Sequence, residues 1–150
     1  MSQKRDFEYI DHVADMRFIA YGGSLEEVFK NAALATLFAI ADISAIQPQT
    51  VFEIELETIN LENLMVDFLS ELLFLFDAEE TTLGVVSVKE VGSKRDENGE
   101  EIWFINASVS GEPIDASKHD FKTEVKAITY NKIRIEKTAS GFEAEVVLDL

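Results

Sequence analysis

Residues 60–76 read NLENLMVDFLSELLFLF. Apolar side chains recur in this stretch at intervals of three and four residues, which is the period of one face of an α-helix. Asn60, just before the pattern, is a residue type that caps helix N-termini. The stretch therefore predicts a helix whose dense apolar face belongs in the core. That face comprises Leu61, Leu64, Met65, Phe68, Leu69, Leu72, Leu73 and Phe76.

A second helix is predicted upstream, from about Leu25 to Ala41. Ser24 followed by Glu27 is a capping-box signature, and apolar residues follow it at helical spacing. Between the two helices, apolar and acidic residues alternate over residues 52–57, which predicts a half-buried strand with an acidic outer face.

Strand patterns occupy both ends of the chain. Residues 7–21 predict two short strands with a polar break at Asp11 and His12. Two further strands, about Gly84 to Val91 and Glu101 to Ser110, flank Asn98-Gly99, a dipeptide typical of tight hairpins.

The C-terminal part also has a strand pattern. Residues 123–136 are β-rich with an interruption near Asn131-Lys132, and apolar residues alternate from Phe142 to the last residues. The order β-β-α-β-α-β-β-β-β predicts an α+β fold: one compact domain over residues 1–150, with two helices packed on a largely antiparallel β-sheet.

Composition limits the possible functions. The 150 residues include 29 acidic and 13 basic side chains, so the net charge is −16, which repels phosphate backbones and anionic lipid surfaces. We therefore expect no direct nucleic-acid binding and no membrane partner. The lack of cysteine excludes thiolate zinc sites and cysteine nucleophiles. With neither a secretion signal nor an apolar run of spanning length, the predicted location is cytoplasmic.

Acidic residues near both ends are candidate metal ligands. Asp11, His12 and Asp15 fall within five residues at a strand break, where their oxygen atoms could bind a hard cation or form an ordinary Asp-rich turn. Asp149 stands beside Leu150, whose terminal carboxylate would add a second anionic group. An exposed chain end is the alternative interpretation of that pair.

A mixed-charge segment is the other candidate. Lys122, Glu124, Lys126 and Tyr130 share one face if residues 122–130 form a strand, although alternating Lys and Glu also occur on ordinary solvated strands. The sequence has no Gly-x-Ser-x-Gly turn and no glycine-rich phosphate loop. Nucleophilic catalysis and the common nucleotide-binding enzyme classes are therefore unsupported.

Taken together and in order, these motifs resemble the archease family over essentially the full chain. The run Lys122–Tyr130, KTEVKAITY, and the acidic C-terminus are the most specific of them. The others are residues 9–15, Tyr21-Gly22, residues 24–32, residues 69–76, Gly111-Glu112-Pro113 and Lys118-His119.

The resemblance implies a partner-activating protein and no stand-alone enzyme. Archeases act on the RtcB-type RNA ligase, which joins tRNA exon halves in tRNA splicing and repairs RNA. That ligase attaches GMP to an active-site histidine using GTP and a divalent metal, and archease promotes this guanylylation so that the ligase turns over repeatedly.

The resemblance also assigns residues. It implies a metal site at Asp15, Asp149 and Leu150, with Asp11 as a neighbouring acidic position, and it implies that Lys126 is important for activation. Oxygen ligands of this kind suit calcium or magnesium. Val13 departs from the threonine common in the family, which removes a hydroxyl near the acidic pair, whereas Leu150 in place of isoleucine preserves the terminal carboxylate.

Two other functions remain open at this point. One is a metal-dependent hydrolase that uses Asp11, His12 and Asp15 around a metal-activated water. The other, also suggested by the family resemblance, is a chaperone or modulator of RNA-modifying methyltransferases.

Overall fold

The computed structural model describes residues 6–10 and 15–150 and contains two helices and seven strands in that part of the chain. Their order confirms the predicted β-β-α-β-α-β-β-β-β arrangement. The elements are β1 (Phe7–Ile10), β2 (Asp15–Gly22), α1 (Leu25–Ile40), β3 (Thr50–Thr58), α2 (Leu61–Ala78), β4 (Thr81–Arg95), β5 (Glu101–Pro113), β6 (Ala127–Thr138) and β7 (Gly141–Asp149).

The strands form two antiparallel sheets. One has four strands in the order β1-β2-β7-β6, and the other has three in the order β3-β5-β4. The first sheet therefore joins strands from the two ends of the chain, since β2 pairs with β7 along their whole length. This architecture confirms the predicted α+β class with antiparallel pairing.

Both predicted helix caps are present. The Ser24 side chain accepts a hydrogen bond from the Glu27 N–H at 3.1 Å, and the Asn60 side chain accepts one from the Asn63 N–H at 2.8 Å. The Glu27 carboxylate accepts from the N–H of Gly23 at 2.7 Å, one residue before the cap. These bonds satisfy N–H groups that have no partner within a helix, and they fix where each helix begins.

The core lies where the helices meet the sheets. Helix α1 packs against β2 and β4, strands of different sheets, and α2 packs against β6 and β3. Phe29 of α1 and Phe68 of α2 are fully buried with ring centroids 6.1 Å apart. Burying a side chain of this size stabilises the fold by about 1.5–3 kcal/mol. The predicted apolar face of α2 is thus confirmed as core.

The hairpin of β4 and β5 is longer than its sequence pattern indicates. Its turn lies at Asn98-Gly99 as predicted, with Gly99 at φ +77°, where a residue without a Cβ is favoured. The pairing continues well beyond Val91 and Ser110, however. Register shifts between Leu83 and Val85 and between Val88 and Glu90 interrupt the period-two pattern, so the prediction made β4 too short.

Strand β6 begins later than predicted. The sequence pattern placed its start at Thr123, but the ladder begins at Ala127, because N–H groups of the preceding segment bond elsewhere: that of Lys122 donates to the Ile40 carbonyl at 2.8 Å. The proposed shared face of Lys122, Glu124, Lys126 and Tyr130 on one strand is therefore wrong. The predicted interruption is confirmed by a register shift between Thr129 and Arg134.

None of the helices within residues 6–10 and 15–150 combines the length and the apolar character needed to cross a membrane.

Candidate functional site

Sheet pairing brings together two aspartates from opposite ends of the chain. Asp15 is the first residue of β2 and Asp149 is the last residue of β7, and the two are direct partners in the antiparallel register. Directly opposed residues point to the same face, with Cβ atoms roughly 4.5–5.5 Å apart. The structure thus places both predicted acidic residues side by side at one end of the four-stranded sheet.

A basic side chain lies near the acidic pair. Like charges directly opposite each other destabilise a sheet. Arg17, two residues along β2 on the same face, has its guanidinium Nε 3.3 Å from a carboxylate oxygen of Glu145. Carboxylate oxygens are the type of ligand that calcium and magnesium prefer in proteins, and Asp15 and Asp149 bring two carboxylates to this sheet end.

The side chains of the described ranges do not complete a metal site by themselves. Within residues 6–10 and 15–150, no group of three or more His, Asp or Glu side chains converges where an ion could be held. Asp11 and His12, the other candidate ligands, lie outside the described residues, as does Val13. Leu150 is exposed and directly follows Asp149.

Lys126 is joined to the acidic pair through its backbone. Its N–H donates to the carbonyl of Asp149 at 2.8 Å, and the next residue, Ala127, is the register partner of Asp149. Lys126 also lines a cavity of about 600 Å³ between the two helices and the segment before β6. The cavity is lined by Ile40, Leu73, Phe76, Asp77 and residues 121–126.

A buried polar cluster, to which the sequence motifs gave no role, fixes the segment before β6. Glu112 is 2% exposed and forms an ion pair with Lys118, and its carboxylate accepts a hydrogen bond from Gln49 at 3.2 Å. The hydrogen bond from Lys118 is the main cause of a lowered pKa for Glu112, outweighing the opposite effect of burial. The charged carboxylate is therefore the form that the fold stabilises.

His119 is the central residue of the same cluster. Its Nδ1 accepts a hydrogen bond from the Asp115 N–H at 3.1 Å, which leaves Nε2 as the protonated nitrogen of the neutral ring. Nε2 lies 3.4 Å from Glu112 Oε1, and the Thr82 hydroxyl lies 3.2 Å from Nδ1. The adjacent Gly-Glu-Pro and Lys-His motifs are the sequence signal for this cluster.

The cluster continues into the wall of the cavity. The ring of Phe121 packs edge-on against His119, with centroids 6.0 Å apart, and against Phe76 at 5.9 Å. Phe121 also forms an isolated bridge with Ala41 at the end of α1. One side of the cavity is thus held in place by buried hydrogen bonds, a β-bridge and aromatic contacts.

The fold and the site define an α+β domain of two antiparallel sheets and two helices, with an aspartate pair at one sheet end. Residues 7–150 match the sequence model of the Archease protein family (MTH1598/TM1083). The chain belongs to this family, which confirms the resemblance found in its motifs.

Relatives match over nearly their whole length. The chain is 45% identical over 149 residues to "Protein archease" of Methanosarcina mazei, covering 99% of both chains. It is 40% identical over 147 residues to "Protein archease" of Thermococcus gammatolerans, covering 97% of this chain and 99% of the relative.

A solved structure has the same fold. The solution structure of Methanobacterium thermoautotrophicum protein 1598 superposes with a TM-score of 0.79 at 32% identity, covering 97% of this chain and 99% of that one. The match supports the assignment of two helices on antiparallel sheets.

Proposed function

We propose that this protein is a non-enzymatic activator of an RtcB-type RNA ligase in tRNA splicing and RNA repair, acting in the cytoplasm. It promotes guanylylation of the ligase and its multiple turnover. Membership of the archease family supports this function. The structural observation that carries it is the direct opposition of Asp15 and Asp149 at a sheet end to which Lys126 is hydrogen-bonded.

In this proposal the acidic sheet end holds a divalent cation, calcium or magnesium. Asp15, Asp149 and the carboxylate of Leu150 are the ligands, and Asp11 and His12 are the neighbouring candidates. When bound, the cation supplies positive charge that offsets the repulsion between the two aspartates and can be shared with anionic groups of the partner. The chain itself contributes the geometry, because the β2–β7 ladder fixes the spacing of the aspartates.

Lys126 is the residue that we expect to contact the ligase. It is exposed, and within the described residues no acidic side chain is at ion-pair distance from its amine. Because the hydrogen bond to Asp149 comes from the backbone, the side chain is available to a partner while its position relative to the acidic pair is fixed.

The overall charge fits a basic partner. A net charge of −16 speeds the encounter with a positively charged RNA-binding enzyme and disfavours direct binding to RNA. RNA is therefore contacted by the ligase, and we expect stimulation of the ligase to weaken as the salt concentration rises.

The test is guanylylation and multiple-turnover ligation by the ligase, with GTP and divalent metal, with and without this protein at substoichiometric amounts. We expect acceleration by the wild-type chain and its loss in Asp149→Asn. Glu53→Gln, which removes the same charge from an exposed site on the other sheet, should remain active. No acceleration of a competent ligase would contradict the proposal, and suppression of methyltransferase aggregation instead would favour the chaperone alternative.

A further inference from the structure

The cavity beside Lys126 offers a second contact surface. Its volume of about 600 Å³ lies within the range of ligand-binding sites and is large enough for a large apolar side chain. Its apolar lining comes from Ile40, Leu73, Phe76, Phe121 and Val125, and Phe121 is 38% exposed. An apolar side chain inserted here would remove this surface from water, which is the main driving force for such contacts.

Charged groups at the same cavity restrict what can enter it. Lys126 lines it together with Asp77 and Glu124, and none of these three forms an ion pair with another described residue. Lys122, the fourth charged residue, has its amine 3.3 Å from the centre of the Phe38 ring. One available amine next to two carboxylates disfavours a polyanion, so the cavity suits a protein segment better than RNA.

The net charge also disfavours a second copy of this chain. Two molecules of charge −16 repel each other, whereas a basic protein is attracted. The cavity is close to the acidic pair, because the backbone of Lys126 is hydrogen-bonded to Asp149. A partner that reaches the acidic sheet end is thus placed to reach the cavity.

We propose that this cavity binds a short segment of the partner ligase in which a large apolar side chain is the anchor and an adjacent basic side chain pairs with Asp77 or Glu124. The inference rests on the proposed function and adds a docking surface to it. The buried Glu112–His119 pair and the Phe121 contacts hold one wall of the cavity in place, so little ordering is required on binding.

Affinity measurements test the anchor. The dissociation constant between the ligase and the full-length chain is measured by calorimetry for wild type, Phe121→Ala and Phe74→Ala. Phe74 is the matched control, because it is 58% exposed on α2 and is not part of the cavity lining. We expect the dissociation constant to rise about tenfold or more for Phe121→Ala and to stay within about twofold for Phe74→Ala.

Two further measurements keep the test decisive. If Phe121→Ala lowers the melting temperature, Val125→Thr replaces it as a variant of similar size that adds a hydroxyl to the lining. A photo-crosslinking phenylalanine at position 121 should then crosslink to the ligase, at a peptide with a large apolar residue within two positions of Lys or Arg. The same group at position 74 should not crosslink.

The outcomes separate this inference from the proposed function. Normal affinity of the cavity variants for a ligase that wild type binds and activates would overturn the docking surface and leave the activator role intact. Crosslinking at position 121 to a second copy of this chain would also overturn it. Failure of the wild-type chain to bind or stimulate the ligase would overturn both.

Discussion

The backbone N–H of Lys126 donates to the carbonyl of Asp149 at 2.8 Å, so a residue that lines the cavity is attached to the strand end that carries the acidic pair. The main chain makes this link. A change of the Lys126 side chain therefore alters what the site presents to a partner and preserves the hydrogen bond.

This relationship predicts that Lys126→Gln separates function from stability. We expect the free energy of unfolding to change by less than about 0.5 kcal/mol, because the side chain is exposed and has no ion-pair partner among the described residues. Stimulation of ligation should be strongly reduced. Urea unfolding and a turnover assay measure the two effects. Lys137→Gln, an equal charge change at an exposed position of β6, is the control and should stimulate normally.

The opposed aspartates predict an effect of metal on stability. In a chelator, Asp149→Asn should leave the protein as stable as wild type or stabilise it by about 0.2–1 kcal/mol, because it removes repulsion across the β2–β7 pair. Added calcium or magnesium should raise the melting temperature of the wild type and not that of the variant.

Glu53→Gln is the control for the loss of one negative charge, since Glu53 is exposed on β3. Glu53→Gln should show the same rise in melting temperature as wild type when calcium or magnesium is added. An equal rise in Asp149→Asn would show that the ion binds elsewhere, and destabilisation of that variant in chelator would show that the carboxylate has a structural partner.

The local elements of this fold were predictable, because their signals lie within a few residues of each other. Ser24 and Asn60 indicate the starts of the two helices, because their side chains accept hydrogen bonds from N–H groups of the first turn. Asn98-Gly99 indicates the hairpin, because Gly99 adopts the positive φ that its turn requires. The start of β6 was misplaced because residues 122–126 have a β-rich composition, yet the Lys122 N–H bonds to the end of α1.

The site was predictable only in part. Spacing along the chain contains no information that β2 and β7 pair, so the meeting of Asp15 and Asp149 was expected from family resemblance alone. The Glu112–His119 cluster depends on contacts between β5 and the segment after it. The cavity forms only where α1, α2 and residues 121–126 come together. Such long-range arrangements follow from tertiary packing, which no local pattern specifies.

The buried Glu112 predicts a pH dependence of stability. Its pKa is lowered in the folded protein, mainly by the hydrogen bond from Lys118. A carboxyl group with a lowered folded pKa contributes stability above its unfolded pKa, and this contribution is lost as the pH falls through the folded value. Glu112→Gln should therefore be less stable than wild type at pH 7, and the difference should shrink below about pH 4.

Urea unfolding of both proteins from pH 3 to pH 7 measures this difference. Asp42 and Asp115 also have lowered pKa values, mainly through hydrogen bonds with Ser44 and Ser117, so both proteins will lose stability in acid. Only the difference in free energy of unfolding between wild type and Glu112→Gln, followed over pH, measures the contribution of Glu112. A gap that is constant with pH would mean that the charge of Glu112 contributes nothing.

Close backbone contact at Gly111 predicts a large loss of stability on substitution. A Cβ built on Gly111 would lie 2.0 Å from the Thr82 carbonyl oxygen, a backbone atom that cannot move without disturbing β4. Gly111→Ala should therefore cost about 3 kcal/mol or more in the free energy of unfolding. Gly23→Ala is the control, because its Cβ would meet only the flexible Glu27 carboxylate at 3.7 Å.

The same comparison tests how closely the two strands approach beside the buried cluster. Gly111 precedes Glu112 and pairs with Leu83, next to a register shift in β4. If β4 and β5 approach as closely as the structure has them, urea unfolding will show a large loss for Gly111→Ala and a change below about 1 kcal/mol for Gly23→Ala. Similar small losses in the free energy of unfolding of both variants would mean that β4 and β5 can separate. Glu112 and His119 would then be held less firmly than their hydrogen bonds indicate.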